Sequence, residues 1–164
     1  ALAVHKFQKN TLDAKKPSDQ SLLEKLQYPQ PRISLGLALR GIANSAIDLS
    51  DGLLADLGHI LDSSKLGATI DWSKIPHFDP TAENLNIETI QSFALTGGDD
   101  YELCFTAPSN RHSDIINISN SLDINLSQIG TIKAEAGLIL LDETNNPISI
   151  KGSGYDHFKE SKNT

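Results

Sequence analysis

The sequence has one cysteine, no methionine, one tryptophan and only 5% aromatic residues in 164. With Cys104 alone, no disulfide can close within the chain and a cysteine-based zinc cluster is excluded. Its setting in "YELCF" suits a buried small hydrophobe better than a reactive thiol. No apolar run approaches the roughly 20 residues needed to cross a bilayer, so no membrane partner is expected. The opening "ALAVHKFQKN" puts apolar residues ahead of Lys6, the reverse of a signal peptide's order, and a cytoplasmic location is expected. The missing methionine leaves open that the chain is a piece of something longer. Positive charge is also scarce, with 14 Lys and Arg against 21 Asp and Glu and a formal net charge of −7. Affinity for nucleic acid comes mainly from clustered Lys and Arg, so none is expected as a partner. An acidic protein can still bind phosphates when metal ions stand between the two sets of negative charge. The five histidines have no close mutual spacing, which argues against a His-based metal site. No nucleophile elbow, P-loop or G-x-G-x-x-G occurs.

The length suits one domain with one core. Residues 1–17 read as a helix remnant and linker, and 18–164 as the folded domain. "SDQSLLEKL" predicts an amphipathic helix from Ser18, broken by the prolines of "YPQPR". A second helix is expected from about Ile33 to Ile42. "SAI" before Asp48 reads as a short strand. Leu53, Leu54, Leu57, Ile60 and Leu61 then form a helical stripe, with Asp56 and His59 expected on its solvated side. "GATIDW" reads as a strand, "PHFDPTAENL" as a loop, and "NIETIQSFALTGG" as a helix stopped by Gly97. "YELCF" alternates like a strand with Tyr101, Leu103 and Phe105 on one face. A helix capped at Ser109 follows, then strands in "SQIGTI" and "GLILLD", the turn "ETNNP" and a last strand "ISI". Strands and helices without strict alternation predict an α+β or mixed α/β layer fold.

Three stretches carry the candidate chemistry. In "IDLSDGLLADLGHIL", Asp48 and Asp51 stand where a strand gives way to a helix. Ser50 or Asp51 can cap that helix while the other acid is solvated. The pair can equally hold Mg²⁺, which takes one or two carboxylates and completes its shell with water and phosphate oxygens. In "ALTGGDDYELCF", Asp99 and Asp100 follow a glycine pair and Glu102 lies two residues on. That run is either a polar turn or a place where backbone approaches a ligand, with its acids held against a strand. In "KGSGYDHF", Tyr155 and Phe158 follow a glycine-rich segment that is a loose tail or a flap over a flat heterocycle.

Together "PRISLGLALRGIANSAIDLSDGLLADLGHI", "ALTGGDDYELCF", the Ile129–Gly130 pair and "KGSGYDHF" resemble the C-terminal half of the thiamine-monophosphate kinase family, within the aminoimidazole ribonucleotide synthetase superfamily. The resemblance implies an α+β domain, a mixed β-sheet with packed helices, and Mg²⁺-dependent transfer of phosphate from ATP to thiamine monophosphate, in the cytoplasm, by a homodimer. By position, it makes Asp48 and Asp51 metal ligands, Ser50 an ATP contact, Asp99 a substrate contact and Tyr155 the aromatic near the substrate's ring. The acceptor is already an anionic phosphate, so positioning and charge neutralisation replace a strong general base, and no catalytic residue is assigned. The family has Glu where this chain has Asp99, one methylene shorter, so contact there is expected to be looser or water-bridged. The family's N-terminal half supplies most metal-binding acids, the substrate's histidine and the dimer interface. This chain alone is therefore expected to fold but not to turn over. The rivals are another ATP-dependent enzyme of the superfamily, of the purine cyclo-ligase or selenophosphate synthetase type, and a non-catalytic binding module.

Overall fold

The computed structural model describes residues 6, 9, 11–13, 15–77 and 85–149. In chain order the elements are α1 (Pro17–Gln27), α2 (Ile33–Ala38), β1 (Ser45–Asp48), α3 (Leu53–Ser64), β2 (Gly67–Asp71), α4 (Ile87–Thr96), β3 (Leu103–Thr106), α5 (His112–Leu122), β4 (Gly130–Lys133) and β5 (Gly137–Leu141). The expected α+β class is what forms, with the strands divided between two ladders. β1 and β3 pair antiparallel, Asp48 opposite Leu103. β2 lies between β4, antiparallel, and β5, parallel, which makes a mixed three-stranded sheet.

The three-residue link from β4 to β5 arcs over the start of β2, since Lys133 and Gly137 both face Gly67. A side chain at Gly67 would meet the Glu135 carbonyl at 2.1 Å, so only glycine admits this crossing. The core lies between α3, α4 and the mixed sheet: Leu53, Leu57, Ile60 and Leu61 of α3 meet Ile70 and Leu140 of the sheet and Ile90 and Leu95 of α4. Ile70, Ile90 and Leu95 are at most 1% exposed, and each contributes roughly 1.5–3 kcal/mol by burial. Trp72 is buried at the end of β2 and stacks on His77 at 4.7 Å. Among the described residues no helix is long and apolar enough to cross a membrane.

Several boundaries differ from the sequence expectation for local reasons. α1 starts at Pro17, whose fixed φ suits the first helical position. α2 stops at Ala38 because the Leu39 carbonyl takes the amides of both Ile42 and Ala43, with Gly41 at φ 74°. No side-chain cap forms at Ser109; a 3₁₀ turn over Ser109–Arg111 leads into α5. "ISI" makes a single bridge, Leu141 with Pro147, beside the Ile148 amide donating to the Leu140 carbonyl at 2.8 Å, and Ile150 lies outside the described residues. Most of the expected helix remnant is outside them too, although Lys6 Nζ and the Asp13 amide both donate to the wholly buried Asp19.

The "ETNNP" turn is built on Asp142. Its Oδ1 accepts from the amides of Thr144 and Asn146, each at 2.8 Å, and from the Thr144 hydroxyl at 2.7 Å. These donors, the Asn146 amide first, hold the carboxyl below the usual carboxylate range. Asp19 and Asp71 are lowered as well, the first chiefly by Lys6 and the second chiefly by the Ser73 hydroxyl. A depressed folded-state value contributes stability above the unfolded carboxylate pKa of about 3.9, which is lost as pH falls through the lower folded value. Asp142→Asn, whose amide oxygen still accepts, should keep the turn and shrink the fall in melting temperature between pH 6 and pH 3. An acid limb unchanged in the variant would remove Asp142 from the cause.

Candidate functional site

Two loops meet at the end of the β1–β3 ladder. The first, residues 49–52, carries β1 into α3, and the second, 97–102, carries α4 into β3. Backbone bonds lace them beyond the last strand pair: the Leu49 amide donates to the Glu102 carbonyl at 2.8 Å, the Tyr101 amide to Leu49 at 2.9 Å and the Asp99 amide to Ser50 at 3.0 Å. Asp99 and Tyr101 reach this pairing in the left-handed region, at φ 63° and 52°. That conformation is uncommon for Asp and a true outlier for an aromatic residue. The expected strand over "YELCF" accordingly begins only at Leu103, and Tyr101 does not share a strand face with Leu103 and Phe105.

Gly98, the second of the glycine pair, permits a close approach within the protein itself. A Cβ at Gly98 would stand 2.3 Å from the Ser50 carbonyl oxygen, so the glycine lets one loop approach the other. It seats backbone on backbone, which is what brings "DLSDG" and "GGDDY" to one seam.

The seam gathers the predicted side chains unevenly. Asp48, at the last position of β1, and Asp51, just before α3, are both exposed, and neither carboxylate makes a hydrogen bond or ion pair among the described residues. Ser50, between them, is half-buried. Asp99 is exposed across the seam, and its Oδ1 accepts from the Tyr101 hydroxyl at 3.1 Å. That bond, with the charge of Asp99 and, more weakly, of Asp48, raises the Tyr101 phenol above its ordinary value. Glu102 is not available to a ligand in the same way, because Arg32 grips it with two bonds, Nε to Oε2 at 2.7 Å and a terminal nitrogen to Oε1 at 2.6 Å. Tyr155 lies outside the described residues. Cys104 is half-buried against the core, short of the full burial expected, and desolvation pushes its thiol up to about 11.

Asp56 overturns the expectation of a solvated helix face. It is 2% exposed, and its Oδ2 accepts from three successive amides, Ser50 at 2.9 Å, Asp51 at 3.1 Å and Gly52 at 3.2 Å. The carboxylate therefore caps α3 from inside the first turn, while Gly52, the residue at the N-cap, offers no side chain. A clue was in the sequence: Asp56 falls three residues after Leu53 and four before Ile60, on the buried stripe. The amides of Ser50 and Asp51 ahead of the helix, and that of Gly52 at its N-cap, are thus already taken by the chain itself. His59, one turn along, is exposed, and donor atoms of Asp51, Asp56 and His59 lie within 4.8 Å of one another.

Residues 1–143 match the family AIR synthase related protein, C-terminal domain. The chain is 40% identical over 137 residues to thiamine-monophosphate kinase of Escherichia coli K12, covering 84% of this chain and 42% of that protein. It is 45% identical over 139 residues to thiamine-monophosphate kinase of Buchnera aphidicola subsp. Schizaphis graminum, again 84% of this chain and 42% of the relative. Among solved structures, thiamine-monophosphate kinase from Stenotrophomonas maltophilia K279a superposes with a TM-score of 0.77 at 39% identity, over 84% of this chain and 45% of that one. The chain spans less than half the length of each of these curated relatives.

Proposed function

This chain belongs to the family of AIR synthase related C-terminal domains, and on that premise we propose that it is the C-terminal portion of a thiamine-monophosphate kinase. The reaction is transfer of the terminal phosphoryl group of ATP to the phosphate of thiamine monophosphate, giving thiamine diphosphate. One observation carries this assignment: a match over residues 1–143 that spans both loops of the seam, together with about 40% identity to kinases of that name. The fold also resembles, at a TM-score of 0.69 and 24% identity, a structure described as AaThiL complexed with AMPPCP and TMP.

In this assignment Ser50 contacts the nucleotide, Asp99 the substrate and Tyr155 the substrate's ring. Asp48 and Asp51 would hold Mg²⁺, and their chemistry fits: two exposed carboxylates with no hydrogen-bond or ion-pair partner among the described residues are hard oxygen donors that leave the rest of the shell to water and phosphate. When bound, the ion neutralises charge on the phosphate oxygens. The chain's own part is positional. Three backbone bonds and the Asp56 carboxylate fix loop 49–52, so Ser50 and Asp51 need little reorganisation when the nucleotide arrives. The Tyr101 hydroxyl steadies Asp99, the shorter acid at a position where the family has Glu. The full-length enzyme would be a cytoplasmic homodimer joined through its N-terminal half.

A coupled assay with ATP, Mg²⁺ and thiamine monophosphate, run on this chain and on the full-length gene product that carries it, tests the assignment. Turnover in the full-length protein alone is expected. Its absence there, with turnover of a purine cyclo-ligase or selenophosphate synthetase substrate, would transfer the chain to a different enzyme of the superfamily.

A further inference from the structure

Asp56 is a buried carboxylate with no ion pair among the described residues. Burying a charge without a cation is costly unless several donors compensate it, and three successive amides at the positive end of α3 do so here. Only the Gly52 amide belongs to the helix end, and those of Ser50 and Asp51 precede it. The two further bonds fix the direction of loop 49–52, and the Asp56 amide closes the ring by donating to the Gly52 carbonyl at 3.0 Å. On its other edge the same loop gives the carbonyls of Leu49 and Ser50 to Tyr101 and Asp99. Both edges of the backbone are thereby committed, and the Ser50 hydroxyl and Asp51 carboxylate are what remains to meet a ligand.

We infer that Asp56 is the positioning residue of this site: its carboxylate, seated on the amides of Ser50, Asp51 and Gly52, aims Ser50 and Asp51 at the nucleotide and its cation. The inference rests on the nucleotide and metal roles proposed above for Ser50 and Asp51.

The test is Asp56→Asn in the full-length gene product, which keeps the shape and removes the charge. The Mg²⁺ concentration for half-maximal rate should rise about tenfold or more, as for residues that orient metal ligands. KM for ATP should rise with it, while KM for thiamine monophosphate stays. Amide hydrogen exchange at Ser50, Asp51 and Gly52 should quicken while the middle of α3 is unaltered. A lowered melting temperature with unchanged Mg²⁺ dependence would reduce Asp56 to a helix cap and overturn the inference. Should the asparagine variant not fold, Asp56→Glu retains the charge but displaces it by a methylene, and a normal Mg²⁺ dependence there would overturn it equally. If the wild type does not phosphorylate thiamine monophosphate, the kinase assignment falls by itself. Mn²⁺ binding followed by water-proton relaxation then decides Asp56: weakening about tenfold in Asp56→Asn supports the inference, and equal binding sinks it.

Discussion

Gly98→Ala is expected to lower stability by about 3 kcal/mol, because the new methyl group cannot coexist with the loop opposite. The nearest atom to its Cβ is the Ser50 carbonyl oxygen at 2.3 Å, with Asp51 Cα behind it at 3.5 Å. Both are backbone atoms, so no rotamer change relieves the clash and the loops must part. Parting stretches the Asp99 amide bond to Ser50 first and then that from Tyr101 to Leu49. Without that pairing, nothing compensates the left-handed conformations of Asp99 and Tyr101. For a chain of this size 1 kcal/mol moves the midpoint by roughly 2–4 °C, so thermal unfolding should shift by roughly 6–12 °C. Gly36→Ala is the control: nothing lies within 4 Å of its Cβ, it sits inside α2, and alanine there should be neutral or stabilising by up to about 1 kcal/mol. A melting temperature for Gly98→Ala equal to that of the wild type would show that the two loops are not held together by this contact.

Elements with strong periodicity were legible in the sequence, because a buried face writes itself as a repeat. The stripe Leu53, Leu57, Ile60, Leu61 formed α3, and Ala68 with Ile70 marked the buried positions of β2. What escaped were features set by a partner distant in the chain. Tyr101 looked like a strand residue because alternation records side-chain polarity and not φ, whereas its left-handed turn answers to the Leu49 carbonyl, over fifty positions earlier. The last strand is, among the described residues, a single bridge at Pro147, which has no amide to donate. Of the candidate site, both aspartates of "DLSDG" were visible as chemistry. The means of holding them was not, since an acid on an apolar stripe was credited to the solvent side.

The seam also explains how an acidic chain can keep unpaired carboxylates side by side. Asp48, Asp51 and Asp99 are exposed, so water screens their mutual repulsion, while the buried Asp56 is neutralised by amides and the exposed Glu102 by Arg32. Stability therefore draws on Asp56 and, among the described residues, leaves the Asp48 and Asp51 carboxylates uncommitted.

That division predicts opposite outcomes for two neighbouring substitutions. Asp51→Asn in the full-length gene product should lower kcat by about 100-fold, the scale of losing one charged group aimed at developing charge, or about 2.7 kcal/mol of transition-state stabilisation. Its melting temperature should stay or rise slightly, because the side chain is exposed and makes no hydrogen bond among the described residues, and the substitution removes one unit from a net charge of −7. Asparagine keeps an oxygen that can meet a cation but not the charge, so raised Mg²⁺ should recover part of the rate. Asp56→Asn, five residues on, should do the reverse and lower stability, since its carboxylate is the one bound to the backbone. Measured together by steady-state kinetics and thermal unfolding, the pair separates a ligand from the residue that aims it. If Asp51→Asn unfolds more easily yet turns over normally, Asp51 is a structural cap and the metal must be held elsewhere.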